Sequence, residues 1–199
     1  LLVGKGTYLE ECKDYVENKN LQNEIDFLGY RKDVEDLYNI RNDLTANYIL
    51  MNDIDLTEAT AKGGEYDESG KGWQPIGNKD AHFTGIFNGN GYSVSGLRIE
   101  SSSSNTPLGL FAYNSGTITK LHIKDSVLIG TSDPYISSIA AYNYGTISLC
   151  SSNATVKASG GQQAFAGGIV VFNMADGIIQ ESFYYGDVIV SARGNNGTN

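Results

Sequence analysis

The chain has 199 residues, and its composition excludes several classes of function. It carries 14 Lys and Arg against 23 Asp and Glu, a formal net charge of −9, so it offers no basic face for nucleic acid or for an anionic membrane surface. No apolar run reaches the roughly 18 residues that a spanning helix needs, so we expect no membrane insertion of this segment.

The N-terminal residues are predicted to form a helical cap. Residues 7–18 combine capping-box spacing with one apolar face, which is typical of a short amphipathic helix. Asp33 is suited to be the N-cap of a further helix, in which Leu37 and Ile40 follow at helical spacing. An open end of a β-structure exposes apolar side chains and strand edges, so we predict that residues 1–46 cover one.

The first strand is predicted over residues 48–56, with Asp53 and Asp55 on one face, about 7 Å apart. Two carboxylates at this spacing suit a calcium site or the acid and base of a glycosidase, and otherwise form a solvated outer face. Apart from this weak calcium candidate, no cofactor is expected. The polar segment 57–72 is predicted to leave the fold as a loop. Its acidic residues Glu65, Asp67 and Glu68 are expected to stay hydrated, and a functional cluster is the alternative.

Residues 83–99 are predicted to form the first full turn of a repeating structure. The apolar residues Val94, Leu97 and Ile99 match the apolar residues Ile118, Leu121 and Ile123, because the spacing within the two sets is identical. The match predicts that the first set lies beneath the second.

The remainder of the chain repeats one pattern three times, at about 108–135, 136–165 and 166–199. A short apolar run ends in Asn114, Asn143 or Asn173, and a glycine-containing turn and a second apolar strand follow each run. A nearly fixed period of roughly 30 residues indicates a solenoid. Short β-branched and aromatic runs separated by Gly, Ser and Asn indicate strands. We therefore predict an all-β fold, a parallel β-helix over residues 47–199.

Equivalent positions of the repeats are predicted to stack on one another. Leu110, Ile139 and Ile169 form one such column, and Tyr113, Tyr142 and Phe172 form a second, aromatic column. The three asparagines are predicted to form a structural ladder at a corner of the coil, where a side-chain amide bonds its own turn and the next amide. A ligand-binding ladder is the alternative.

These motifs resemble those of the GLUG-motif proteins of bacterial cell surfaces. The resemblance rests on the run Gly109-Leu110-Phe111-Ala112-Tyr113-Asn114 with Gly116-Thr117-Ile118, and on the preceding segments 48–56, 73–77 and 83–92. It implies a right-handed parallel β-helix on a secreted or surface-anchored protein. Relatives include adhesin-like proteins and the non-catalytic repeats of immunoglobulin-A-cleaving metallopeptidases. Ser138, Ala141 and Val171 replace glycines of the motif, and no catalytic residue comes with it.

Some tyrosines lie outside the repeated column and are candidates for binding sugar rings. They are Tyr144, Tyr184 and Tyr185, because amphipathic aromatic side chains stack on apolar faces and keep a polar tip. We therefore expect a host or polymer ligand, either glycan or protein. The two histidines, His82 and His122, do not form a His-Glu-x-x-His motif.

Three functions are compatible with these patterns. The first is a non-catalytic β-helix module, extracellular or at the cell surface, that serves adhesion, ligand display or spacing. The second is a polysaccharide lyase or glycoside hydrolase on a β-helix, although Lys and Arg are sparse in the repeats. The third is a scaffold segment of a larger secreted peptidase. The sequence is compatible with a disulfide between Cys12 and Cys150 and equally with two free thiols.

Overall fold

The computed structural model describes residues 2–3, 33–161 and 163–192, and nearly all of the regular structure in this part is parallel β-strand. The chain winds into a β-solenoid of about four turns, and one short α-helix lies near the N-terminus of the described part. The predicted parallel β-helix is therefore confirmed. The predicted helix over residues 7–18 and Cys12 lie outside the described residues.

Each complete turn of the solenoid, called a coil below, contains five strands. Strand β1 (Leu2–Val3), helix α1 (Asp33–Asn39) and a 3-10 turn (Ile40–Asn42) precede the coils. Coil 1 contains β2 (Tyr48–Leu50) and β3 (Ile54–Asp55). Coil 2 contains β4 (Ile86–Asn88), β5 (Ser93–Ser95), β6 (Arg98–Ser101), β7 (Pro107–Leu108) and β8 (Phe111–Asn114). Coil 3 contains β9 (Thr117–Thr119), β10 (His122–Lys124), β11 (Val127–Thr131), β12 (Tyr135–Ser137) and β13 (Ala140–Asn143). Coil 4 contains β14 (Thr146–Ser148), β15 (Ser151–Ser152), β16 (Thr155–Gly160), β17 (Phe165–Gly167) and β18 (Val170–Asn173). Coil 5 begins with β19 (Ile178–Gln180), β20 (Phe183–Tyr184) and β21 (Asp187–Ala192).

Equivalent strands of successive coils pair in parallel and form five sheets. Sheet A has the order β1-β2-β4-β9-β14-β19, sheet B β3-β5-β10-β15-β20 and sheet C β6-β11-β16-β21. The shorter sheets D and E are β7-β12-β17 and β8-β13-β18. In sheet A, Thr117 pairs with Ile86 of the preceding coil and with Thr146 of the following one. Thr146 in turn pairs with Ile178, after a longer turn that follows β18.

Columns of apolar side chains, one from each coil, fill the inside of the solenoid. Ile123 pairs with Val94, Ile118 pairs with Phe87, and all four side chains are fully buried. The predicted match of Val94 with Ile118 is therefore wrong. It aligned a residue of sheet B with a residue of sheet A, because apolar residues recur at the same local spacing in both places.

The predicted column of Leu110, Ile139 and Ile169 lies in register immediately before the strands of sheet E. The Phe111 N–H donates to the Ile139 carbonyl at 2.8 Å, and the Ile139 N–H donates to the Ile169 carbonyl at 3.2 Å. Leu110 and Ile139 are fully buried, and Ile169 of coil 4 is partly buried against the same core.

Coil 1 differs from the later coils, and the prediction of one strand over residues 48–56 is wrong. The segment forms β2 and β3, which belong to sheets A and B, because the chain turns a coil corner near Asn52. An irregular segment then completes coil 1 beneath coil 2. Its Trp73 N–H donates to the Arg98 carbonyl at 2.8 Å, and Ile76 and Phe83 form parallel bridges to β8.

The N-terminal end of the solenoid is covered by α1 and β1. Leu37 of α1 and Ile40 are buried in the core, and β1 pairs in parallel with β2. The Arg41 guanidinium lies over the rings of Tyr38 and Trp73, 3.7 and 4.9 Å from their centroids. Burial lowers the pKa of Arg41 to about 10, and the side chain anchors the end of this helical segment to coil 1.

The asparagines of the three repeats form a continuous side-chain ladder. Asn114 Nδ2 donates to Asn143 Oδ1 at 2.7 Å, and Asn143 Nδ2 donates to Asn173 Oδ1 at 2.8 Å. The other amide hydrogen of Asn143 bonds the carbonyl of Gly145 in its own turn, at 3.1 Å. Asn114 and Asn143 are fully buried, so this ladder satisfies polar groups that water does not reach.

The glycine that follows each ladder residue allows the coils to approach closely. A Cβ atom on Gly116 would lie 2.1 Å from the Gly85 carbonyl oxygen, and a Cβ atom on Gly145 would lie 2.0 Å from the Gly116 carbonyl oxygen. Any side chain at these positions would separate the coils and lengthen the ladder hydrogen bonds.

We expect Asn143→Ala to lower the free energy of unfolding by roughly 2–3 kcal/mol, because it leaves the buried Nδ2–H of Asn114 without its acceptor. Urea unfolding followed by circular dichroism measures the loss. Asn42→Ala, at an exposed amide, is the control and should stay within roughly 0.5 kcal/mol. Equal losses in the two variants would contradict a stabilising ladder.

Candidate ligand-binding surface

Aromatic rings on the outside of the solenoid form a continuous strip across coils 1 to 4. Strands β8, β13 and β18 place one ring each in the same register position of sheet E, and β12 and β17 place two more in sheet D. All seven rings are at least partly exposed. The aromatic strip consists of His82, Tyr113, Tyr135, Tyr142, Tyr144, Phe165 and Phe172.

The centre of the aromatic strip is a stack that follows the solenoid axis. The ring centroids of Tyr113 and Tyr142 lie 4.7 Å apart with an interplanar angle of 3°, and those of Tyr142 and Phe172 lie 4.9 Å apart at 29°. These distances match the spacing of paired strands, about 4.8 Å. Because the rings cover one another's faces, the stack presents ring edges and phenol hydroxyls to solvent.

His82 and Tyr144 extend the stack towards coil 1. The His82 ring lies 4.9 Å from Tyr113 and 5.2 Å from Tyr144, and His82 Nδ1 is 2.7 Å from Ser115 Oγ. The Tyr144 backbone N–H donates to the Asn114 carbonyl at 2.7 Å. The backbone of Tyr144 is therefore fixed beside the ladder, and its ring contacts His82 at the coil 1 end of the aromatic strip.

Tyr135 and Phe165 widen the aromatic strip towards coil 4. Tyr135 meets Tyr142 and Phe172 edge to face, at 6.1 and 5.3 Å, and Phe165 lies 5.3 Å from Phe172. The Tyr135 hydroxyl donates to Asn105 Oδ1 at 2.9 Å, which fixes the direction of its polar end. Edge-to-face aromatic pairs are favourable contacts, so this part of the surface is preorganised.

The two central hydroxyls of the aromatic strip, those of Tyr113 and Tyr142, are neutral. Partial burial raises the pKa of both phenols, and the neighbouring phenol groups raise it further. The charges of Lys79 and Asp80 act on Tyr113, and these two side chains form an exposed ion pair in which Lys79 Nζ donates to Asp80 Oδ1 at 2.7 Å. An array of neutral hydroxyls and apolar ring edges is suited to a neutral ligand that carries hydroxyl groups.

Of the three tyrosines singled out from the sequence, Tyr144 alone belongs to the aromatic strip. Tyr184 pairs with the buried Ser152 and follows the inward column of sheet B. Its ring packs on Gly168, and its hydroxyl donates to the Ala154 carbonyl at 2.5 Å. The register of β20 therefore turns the partly buried Tyr184 inwards, and ligand binding by Tyr184 and Tyr185 stays a prediction. Tyr185 is exposed beside Phe183, 5.7 Å between centroids, on coil 5.

Asp53 and Asp55 hold local turns together. Asp53 Oδ1 accepts hydrogen bonds from Ser93 N–H at 2.7 Å and Ser93 Oγ–H at 2.6 Å, and Asp55 Oδ1 accepts from Thr57 N–H at 2.9 Å. These hydrogen bonds lower the pKa of both carboxyls. Among the described residues, no three His, Cys, Asp or Glu side chains come together in a metal-binding cluster. Calcium binding at this pair stays a prediction.

His122 points outwards, as its alternation with buried neighbours predicts. Its Nδ1 lies 2.7 Å from Ser151 Oγ, and partial burial lowers the pKa of the imidazole. Ser151 is buried, and the nearby Asp53 accepts its hydrogen bonds from Ser93. The pair resembles part of a catalytic triad, but its serine is not presented to solvent.

The loop over residues 57–72, which contains a 3-10 turn (Glu68–Gly70), packs against sheet C. The prediction of a hydrated Asp67 is wrong, since its side chain is 4% exposed. It accepts hydrogen bonds from the N–H groups of Gly63 and Gly72, at 2.8 and 2.7 Å, and from Arg98 at 3.2 Å. The carboxylate is buried because it satisfies two N–H groups of the loop and the guanidinium of Arg98 on β6.

A groove separates this loop from the outer face of sheet C. It contains two depressions of about 270 and 300 Å³, and both are lined by Glu100 and Ile129. Arg98 borders the first depression, and Lys62 and Lys71 border the second. This charged groove lies on a different sheet from the aromatic strip.

Sequence reasoning missed His82, Tyr135 and Phe165 as members of the surface. Tyr135 and Phe165 share a register position in sheet D, so their separation by one full repeat was the available signal. His82 lies in the irregular part of coil 1, before the repeats, so the repeat pattern could not identify it.

Comparisons with known proteins show similarity to parts of much longer chains. A protein named "Putative Gly-rich membrane protein" from Evansella cellulosilytica is 34% identical over 116 residues, which are 56% of this chain and 13% of that protein. Halomucin from Haloquadratum walsbyi is 33% identical over 149 residues, which are 72% of this chain and 2% of halomucin. No family model and no solved structure matches the chain. In the part that the structure describes, no helix has the length and apolar character to cross a bilayer.

We expect Asp67→Asn to lower the melting temperature at pH 7, because the loop N–H groups and Arg98 lose an anionic acceptor. These bonds lower the pKa of Asp67, so the carboxylate stabilises the fold above its unfolded value of about 4 and loses this effect as pH falls through the lower folded value. The difference between variant and native protein should therefore shrink below pH of about 4. Calorimetry at several pH values measures it, with the exposed Glu65→Gln in the same loop as control. A difference that does not change with pH would contradict the assignment.

Proposed function

We propose that this chain is a non-catalytic module of an extracellular or cell-surface protein, and that it binds a neutral glycan along the aromatic strip. The observation that carries the proposal is the continuity of seven partly exposed rings over four coils of a rigid solenoid. A solenoid repeats its surface at a fixed interval, which suits a ligand that also repeats, such as a polymer.

The surface location is supported by two independent similarities. The repeats resemble the GLUG motif of bacterial surface proteins, and we propose that they are divergent members of that group. The relatives from Evansella and Haloquadratum are named as a membrane protein and as halomucin. Because the matches span 13% and 2% of those proteins, the role proposed here is that of one module within a larger surface protein.

The chemistry of the aromatic strip favours a neutral sugar polymer. Ring edges contact the apolar C–H groups of a sugar, and the hydroxyls of Tyr113, Tyr142 and Tyr144 exchange hydrogen bonds with sugar hydroxyls. The chain carries a net charge of −9, so an acidic polysaccharide would be repelled at low salt. The ladder and the stack hold the rings in place before the ligand arrives, which lowers the entropy cost of binding.

The proposal is tested with a panel of neutral and acidic polysaccharides in affinity electrophoresis. We expect a neutral polysaccharide to retard the protein, and Tyr144→Ala to weaken this binding about tenfold, equivalent to roughly 1.4 kcal/mol. Tyr142→Phe, which removes one hydroxyl and keeps the stack, should weaken binding by a smaller factor.

Tyr185→Ala is the matched control, since it removes an exposed tyrosine on coil 5 outside the aromatic strip. Its binding should equal that of the native protein. The proposal is wrong if no neutral polysaccharide binds, or if the Tyr144 and Tyr185 variants lose affinity to the same extent.

A further inference from the structure

The charged groove between the loop over residues 57–72 and sheet C differs in chemistry from the aromatic strip. Its two depressions, of about 270 and 300 Å³, share Glu100 and Ile129, so they are neighbours in one channel. None of the residues that line them carries an aromatic ring. The floor is aliphatic instead, because Val127 and Ile129 point outwards from β11, the first 44% exposed and the second partly exposed.

Hydrogen bonds fix the loop that forms one wall of the charged groove. The Glu100 N–H donates to the Lys71 carbonyl at 2.7 Å, so the end of the loop runs beside β6. Arg98 donates from Nη1 to the Thr60 carbonyl at 3.2 Å and from Nη2 to the Gly70 carbonyl at 2.9 Å. A wall held in this way has little freedom left to lose when a ligand binds, which lowers the entropy cost of binding.

Half of the Lys and Arg side chains that the structure describes lie at the charged groove. The eight described cations are Arg41, Lys62, Lys71, Lys79, Arg98, Lys120, Lys124 and Lys157. Arg98 lines the first depression, and Lys62 and Lys71 line the second. Lys157 pairs in register with Ile129 on the neighbouring strand, about 4.8 Å away. The three lysines, Lys62, Lys71 and Lys157, are called the lysine cluster below.

The lysine cluster makes the two ends of the charged groove electrostatically different. No acidic side chain in the described part of the chain lies within ion-pair distance of its three ammonium groups, whereas Arg98 is shared by Asp67 and Glu100. Asp125 lines the first depression, and its Oδ1 accepts from Asn153 Nδ2 at 3.3 Å. The second depression therefore attracts an anionic group, and the first does not.

The outer face of sheet C sets the spacing that a ligand must match. Val127 and Ile129 are two residues apart on one strand, so their side chains lie about 7 Å apart. Alternate side chains of an extended peptide have the same spacing. Sugar-binding surfaces use aromatic rings, which the lining of the charged groove lacks. These features favour a peptide over a glycan at this place.

We propose that the charged groove binds an extended segment of a partner protein, in which two alternate aliphatic side chains are followed by an acidic one. The aliphatic side chains pack on Val127 and Ile129, and the carboxylate lies at the lysine cluster. Asp125 repels a carboxylate placed at the first depression, so it fixes the orientation of the segment. This peptide site is separate from the glycan site proposed on the aromatic strip, and the two can be occupied together.

The test selects peptides from a phage-displayed library of about eight random residues, long enough to span β11 at about 3.3 Å per residue. The native chain is the bait in one selection, and the double variant Lys62→Gln/Lys71→Gln is the bait in another. We expect the native chain to enrich peptides with aliphatic residues at alternate positions and an Asp or Glu two positions further on. The proposal is overturned if this pattern is absent, or if the double variant enriches it equally.

An enriched peptide is then compared with its amide analogue, in which the Asp or Glu is replaced by Asn or Gln. Fluorescence anisotropy measures both dissociation constants. We expect the native chain to bind the acidic form about tenfold more tightly, and the double variant to bind the two forms equally. Ile129→Thr keeps a β-branched residue in the strand and should weaken both forms alike. Equal affinity of the native chain for the two forms would contradict recognition of a carboxylate.

Lys120→Gln/Lys124→Gln is the matched control, because it removes the same charge from two lysines outside sheet C. Thermal melting verifies that both double variants are folded. The control should bind the acidic peptide as the native chain does, and an equal loss in both double variants would overturn the proposal in favour of a net-charge effect. Tyr144→Ala should leave peptide binding unchanged, so the glycan site and the peptide site are tested separately.

An acidic sugar is the other occupant that the test distinguishes. An oligogalacturonide carries carboxylates without aliphatic side chains, so it should not displace the selected peptide. Binding of the oligogalacturonide that depends on Lys62 and Lys71, with no peptide enriched, would overturn the proposal and make the charged groove an acidic-sugar site.

Discussion

Parallel strands that stack in register, at one strand spacing per coil, are the constraint on which the structure depends. The spacing of about 4.8 Å places identical side chains within contact distance. It lets Asn114 donate to Asn143 at 2.7 Å and brings the rings of Tyr113 and Tyr142 to 4.7 Å. The buried ladder and the exposed stack are therefore two results of the same register, one polar and inside, the other aromatic and outside.

The repeated part of the fold could be predicted because similar residue types recur at equivalent positions of successive repeats. Asn114 and Asn143 occupy the same place in successive repeats, and the structure pairs the two. The register of coil 2 on coil 3 was predicted wrongly because Val94 and Ile118 have the same local spacing of apolar neighbours. The two segments differ in the corners between sheets, where residues such as Lys120 adopt a positive φ. The residue type of Lys120 does not predict that conformation, so the corner could not be located from the sequence.

The candidate surface could be predicted only where it follows the repeat. Tyr113, Tyr142 and Phe172 follow from the column, and Tyr144 follows from its place beside the ladder. The inward direction of Tyr184 could not be predicted, because it depends on the register of a two-residue strand. Asp67 was misjudged because its three donors come from the loop itself and from Arg98, which is distant in sequence. Hydrogen bonds between residues that are distant in sequence leave no local pattern in the sequence.

Trp73 is the one tryptophan of the chain, and it is buried in coil 1, where its Nε1–H donates to the Leu110 carbonyl at 3.3 Å. Tryptophan emission from this protein therefore reports the environment of the capped end alone. The tyrosines of the aromatic strip absorb in the middle of the solenoid, and coil 5 carries Tyr184 and Tyr185. Fraying that starts at coil 5 would thus leave the tryptophan spectrum unaltered while the near-ultraviolet tyrosine signal changes, so the two chromophores report on different positions along the solenoid axis.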